Sequence, residues 1–137
     1  MSNSLIHHRL TEEHLLILGP QVAGCRIFCN AAQRSILIGN RIMRMTPTEY
    51  QVALPLLRQR EQWERGQAPL WTTFATLSAI TGIRDAELLN RHITNASNKL
   101  APSGIGFVRI RTPQHGDIYQ TLLHERDIAP RRGKVHE

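Results

Sequence analysis

The polar residues between positions 84 and 99 form a set able to recognise another molecule. Arg84, Arg91, Asn95, Asn98 and Lys99 stand there, with His92, Thr94 and Ser97 between them. Residues 84, 91, 95 and 98 follow near-helical spacing, so on a helix they share one broad face. An arginine fork can pair bidentately with guanine, and an asparagine amide can do the same with adenine. Lys99 and His92 suit phosphate better than base edges. The plainer alternative is an ordinary solvated face, but asparagine is a poor helix former and gains nothing there by itself. A second set follows, in which Arg109 and Arg111 alternate with Val108 and Ile110. On a strand this puts both arginines on one side, either to grip phosphates or as the wet side of an edge strand. His115 lies near the tip of the loop after them.

No catalytic constellation competes with these residues. The seven histidines do not pair with carboxylates at metal-ligand spacing, and no nucleophile motif or phosphate-cradling glycine loop is present. His7-His8 is an isolated pair. Cys25 and Cys29 are the only cysteines, too close along one strand for an unstrained bridge and too few for a zinc site. They read as reduced core residues, and the chain is expected to be no enzyme and to hold no metal or cofactor.

The 137 residues support one domain, with a formal charge of +6. A basic balance biases a small domain towards polyanions. Its distribution sharpens the bias. Residues 14–48 contain no acid but carry Arg26, Arg34, Arg41 and Arg44; residues 88–116 again contain no acid but carry Arg91, Lys99, Arg109 and Arg111. If the two stretches lie together they form one basic face. With 5% aromatic residues, the core is expected to be mainly Leu, Ile, Val and Ala. No run reaches the ~18 apolar residues of a membrane span, and the start lacks a secretory signal's basic-then-apolar order. A cytoplasmic protein with no membrane partner is expected.

These side chains must be held by elements that the sequence punctuates clearly. Residues 1–13 read as a flexible segment, although Leu5, Ile6 and Leu10 can dock. Short strands are expected at 14–18, ended by Gly19-Pro20, and at 26–28, 36–38 and 41–45. Gly39-Asn40 suits a two-residue hairpin turn because both residues tolerate positive φ. Thr46-Pro47-Thr48-Glu49 is a capping box with proline at its favoured position. The apolar stripe Tyr50, Ala53, Leu54, Leu57 continues it as a first helix, which Pro55 is expected to kink. Residues 62–69 read as a polar connection. A short second helix spans about 73–81, with Phe74, Leu77 and Ile80 inward and Gly82 as its left-handed stop. A third starts at the N-cap Asp85, with Glu87 in its first turn and Leu89, Ile93, Ala96 and Leu100 as its apolar line. Pro102 and Gly104 end it. Strands at 106–111 and 117–123, joined by the loop 112–116, complete a body spanning 14–123. Residues 124–137, with Arg131, Arg132 and Lys134, read as a basic, disordered tail.

A short helix, a three- or four-residue turn and a longer helix form a helix-turn-helix pattern, and a terminal hairpin makes it a winged helix. The expected class is therefore α+β: N-terminal antiparallel strands, three helices and a C-terminal β-hairpin wing. The motifs also resemble those of a known family. Residues 39–50, G-N-R-I-M-R-M-T-P-T-E-Y, resemble the start of the DNA-binding output domain of bacterial response regulators. Residues 92–100, H-I-T-N-A-S-N-K-L, resemble that family's recognition-helix pattern, and 107–119 resemble its closing wing, across a likeness covering about 26–123. The resemblance implies that His92 binds phosphate and that Arg91 and Asn95 face bases. It further implies that Arg109 and Arg111 hold backbone or minor groove and that Tyr119 anchors the wing. Ala96 and Ser97 depart from it, standing where the family commonly has Leu-Arg, and the wing loop carries Pro113 and His115. The family's usual receiver domain has no counterpart before Arg26.

The expected function is sequence-specific binding of double-stranded DNA by a bacterial transcription regulator, with 85–100 in the major groove and 107–123 on the backbone or minor groove. One such domain offers a modest interface, so useful affinity calls for a homodimer or a tandem site. The rival expectation is a winged-helix protein-interaction module that docks RNA polymerase or a regulatory partner, since one fold serves both uses.

Overall fold

A computed structural model of the chain describes residues 13–18 and 25–123. The readings of residues 1–12, of Gly19-Pro20, of the Cys25 side chain and of the tail 124–137 fall outside the described residues. Over these residues the protein is α+β, with three α-helices and two antiparallel sheets. Among the described residues four strands come first: β1 (Glu13–Leu18), β2 (Cys25–Asn30), β3 (Ser35–Ile38) and β4 (Arg41–Arg44), paired in chain order. The first strand thus begins one residue inside the segment read as flexible, and Met45 lies just beyond β4. The turn between β3 and β4 takes its positive φ at Gly39, +62°, and not at Asn40. Arg34, at φ 52°, makes the corresponding sharp reversal before β3, where its carbonyl accepts the Met45 amide at 2.8 Å.

Helix α1 (Pro47–Glu64) opens with the full capping box: the Glu49 amide donates to Thr46 Oγ1 at 3.2 Å, and the Thr46 amide donates to Glu49 Oε1 at 2.9 Å. The helix runs through Pro55 without a break to Glu64, taking in residues 62–64 of the expected connection. Pro55 removes the hydrogen bond that its missing amide would give to Gln51. The apolar stripe read from the sequence is too narrow. Val52 and Leu56 are buried along with Tyr50, Ala53 and Leu57, because α1 packs against β1, both other helices and the second sheet. A helix covered on several sides loses the one-sided pattern of a surface helix.

The second sheet has the order β5-β7-β6. Its short strand β5 (Trp71–Thr73) pairs with β7 (Gly116–Leu123), and β6 (Ile105–Thr112) pairs with the other side of β7. Three residues are too few for a period-2 pattern, so β5 was not foreseen. Helix α2 (Phe74–Thr81) follows directly, capped by Thr73 Oγ1 and stopped by Gly82 at φ +79°. Only Leu77 of its expected inner face is buried; Ile80 is 47% exposed. Helix α3 (Ala86–Leu100) is capped by Asp85 as expected, and Leu89, Ile93, Ala96 and Leu100 are all buried. A 3-10 turn over Ala101–Ser103 and Gly104 at φ +82° then lead the chain into β6.

Polar ties fix the layers. The Ile17 amide on the outer edge of β1 donates to Glu61 Oε2 of α1 at 2.8 Å. Thr121 Oγ1 of β7 donates to the Leu56 carbonyl at 2.9 Å, and Arg60 Nη1 donates to the Thr121 carbonyl at 3.1 Å. Phe107 of β6 donates its amide to Ser97 Oγ of α3 at 2.9 Å.

Candidate nucleic-acid interface

Burying Leu89, Ile93, Ala96 and Leu100 against the core leaves the opposite face of α3 to solvent. Arg91, Thr94, Asn95 and Asn98 are exposed there, His92 is half-buried, and Arg84 is exposed just before the Asp85 cap. Leu88, 37% exposed, occupies the same line at 84, 88, 91, 95 and 98. It was not singled out from sequence, though its signal was present: it is apolar and lies off the 89-93-96-100 line.

Lys99 is not free for an external phosphate. Its Nζ donates to Glu49 Oε1 at 2.6 Å and to the Arg44 carbonyl at 3.1 Å, linking α3 to the cap of α1 and the end of β4. Glu49 is buried, and burial alone would raise its pKa. The hydrogen bonds and charge supplied by Lys99 and the Thr46 backbone outweigh that, holding the carboxyl below its ordinary value. The two acid-free stretches therefore meet at Arg44 and Lys99, through a backbone contact there rather than through a shared row of free cations.

The expected sides of β6 need correction. Arg109 and Arg111 do alternate with Val108 and Ile110, but they continue the side of the buried Ile105 and Phe107, towards α3. Ile110, 39% exposed, points the other way. Beyond Phe107 the β6 side chains on this side are charged, and carboxylates face them. Arg109 Nη1 lies 3.5 Å from Glu87 Oε2 of α3 and 3.7 Å from Asp117 Oδ2 of β7. Arg111 reaches the same two groups, at 4.0 Å from Glu87 and 3.6 Å from Asp117. Arg109 is largely covered, whereas the Arg111 side chain is 70% exposed.

Tyr119 is likewise a core residue. It pairs with Arg109 across the hairpin and is fully buried, so it anchors the hairpin from within and presents nothing to a ligand. Burial pushes its phenol above the ordinary value, opposed by the nearby Arg109 charge. His115 is exposed at the hairpin tip, its ring 4.6 Å from that of Trp71 on β5. Trp71 had no sequence signal for this role, because the contact requires the unforeseen β5–β7 pairing.

Among the described residues no group of three or more His, Cys, Asp or Glu side chains can hold a metal ion, and no helix is long and apolar enough to cross a membrane. Cys29 is buried and free, its thiol pushed up to about 12, mainly by burial. No family model matches the chain, and neither a curated protein nor a solved structure matches it.

Proposed function

We propose that this protein is a winged-helix regulator of transcription, of the bacterial response-regulator output type, that reads a double-stranded DNA site. Helix α3 is the recognition helix, with α2 before it and the β6–β7 hairpin as the wing. The observation that carries this reading is the exposed line Arg84, Leu88, Arg91, Asn95 and Asn98, opposite a fully buried line of the same helix. Its chemistry suits the major groove: arginine for guanine, asparagine for adenine, and an apolar side chain for the thymine methyl. Thr94 and His92 border the line, and on this reading His92 contacts phosphate. Arg111 and His115 on the hairpin reach for the neighbouring backbone. Lys99, Arg109 and Tyr119 serve this reading as structural supports.

Affinity then comes largely from phosphate neutralisation and falls with salt. The test is selection of bound duplexes from a random library at two salt concentrations, followed by sequencing. An enriched motif with salt-dependent affinity supports the reading. Salt-dependent binding without enrichment reduces it to non-specific association, and absence of binding at low salt rejects it.

A further inference from the structure

The four-stranded sheet packs one face towards α1, and among the described residues no element covers the other. On that outer face the strand register lines up Leu15, Phe28, Leu37 and Ile42 as one apolar row across all four strands. Leu15 is 48% exposed, Phe28 38% and Ile42 61%, and Ile17, next along β1, is 37% exposed. A soluble sheet face normally alternates polar side chains outward, so an unbroken apolar row there marks a contact surface. A depression of about 180 Å³ lies between Phe28, Leu37 and Ile42, floored by Ser35 and lipped by Arg44.

The charge around the row is one-sided. Arg26, opposite Ile17, and Arg44, opposite Ser35, stand on the same face on either side of the apolar row, both exposed. Arg34 and Arg41 are exposed at the adjoining turns, and residues 14–48 contain no acid. Glu13, opposite Asn30 at the β1 corner, is the one carboxylate position in these strands.

We propose that this face docks another protein through a segment that alternates apolar residues with Asp or Glu. The apolar side chains lie along the Leu15–Ile42 row, one of them in the depression, and the carboxylates meet Arg26 and Arg44. Charge complementarity selects this occupant: a second copy brings arginines against arginines, and a nucleic acid could stack a base on Phe28 but offers nothing to Leu15, Leu37 and Ile42. The surface is independent of the DNA reading, which uses α3 and the hairpin.

The test is selection from a displayed random-peptide library against the full chain. The winning synthetic peptide is then titrated against wild type, Ile42→Asp and Arg44→Glu. The expected winners alternate apolar and acidic residues, shift the amide resonances of Leu15, Phe28, Leu37 and Ile42, and lose about tenfold or more in affinity with either substitution. Thermal melts check folding, and if Ile42→Asp fails to fold, Arg26→Glu with Arg44→Glu replaces it, since both arginines are exposed. No enriched sequence, winners lacking acids, or affinity unchanged by the substitutions overturns the proposal. So does a wild-type dimer in sedimentation that Ile42→Asp dissolves, or binding to phosphatidylglycerol vesicles that the same change abolishes.

Discussion

Asn95 and Lys99 lie one helical turn apart, yet their surroundings give them opposite duties. Asn95 is exposed, whereas Lys99 reaches back to Glu49 and the Arg44 carbonyl. If α3 reads DNA, Asn95→Ala changes base preference at a cost of roughly 1–3 kcal/mol at one position of the site. An equal loss on every sequence assigns Asn95 to backbone contact instead. For Lys99 the readout is stability. The depressed pKa of Glu49 contributes stability that is present above the unfolded-state value and is lost as pH falls through the folded one. Lys99→Met removes the partner. Wild type should then lose more Tm than the variant between about pH 5 and about pH 3. Parallel pH profiles would show that the contact does not perturb Glu49. Cys29 makes the reverse case: with its thiol pushed up to about 12, the folded chain withholds thiolate at alkaline pH. Above about pH 9 stability should decline, because only the unfolded chain ionises this thiol. Peptide-resolved alkylation checks its burial: Cys29 should label in denaturant and stay unlabelled in the folded protein.

At the scale of elements, caps and stops were legible because they are local. The capping box of α1, the Asp85 cap of α3 and the left-handed Gly82 each depend on residues within one turn. Faces were legible only where one side is buried. The line of α3 is clean, whereas α1 hides Val52 and Leu56 against neighbours that its own sequence does not mention. Ile80 fails in the opposite direction, since the core reaches α2 only at Leu77. Edges are also decided from outside. β1 ends the four-stranded sheet, and Glu61 from α1 occupies its Ile17 amide. Glu61→Ala should leave that buried acceptor role unfilled and cost about 1–3 kcal/mol, read as a lower urea midpoint with an unchanged slope. A change within a few tenths would mean that water replaces the carboxylate.

At the scale of the whole molecule, Glu87 and Asp117 lie beside Arg109 and Arg111 between α3 and the hairpin, which offsets the hairpin's charge. On the DNA reading, phosphate must compete with Glu87 for Arg111. Glu87→Gln should therefore strengthen binding to non-specific duplex at low salt, whereas Arg111→Ala should weaken it and flatten the log-affinity slope against log salt by about one. Unchanged slopes in both variants would remove the hairpin from the interface. The sequence by itself determined the α+β class, the helix starts, the buried line of α3 and the exposure of Arg91, Thr94, Asn95 and Asn98. Those features arise from hydrogen bonds and periodicity within a few residues. Tertiary structure alone decided that Lys99 and Arg109 are engaged, that Tyr119 is core, that Trp71 lies under His115, and that an apolar row crosses the outer sheet. Each of these depends on which distant residue arrives opposite, such as Glu49 for Lys99 or Phe28 for Leu15. A charged or apolar side chain reads the same in sequence whether its partner is a carboxylate, the core or solvent.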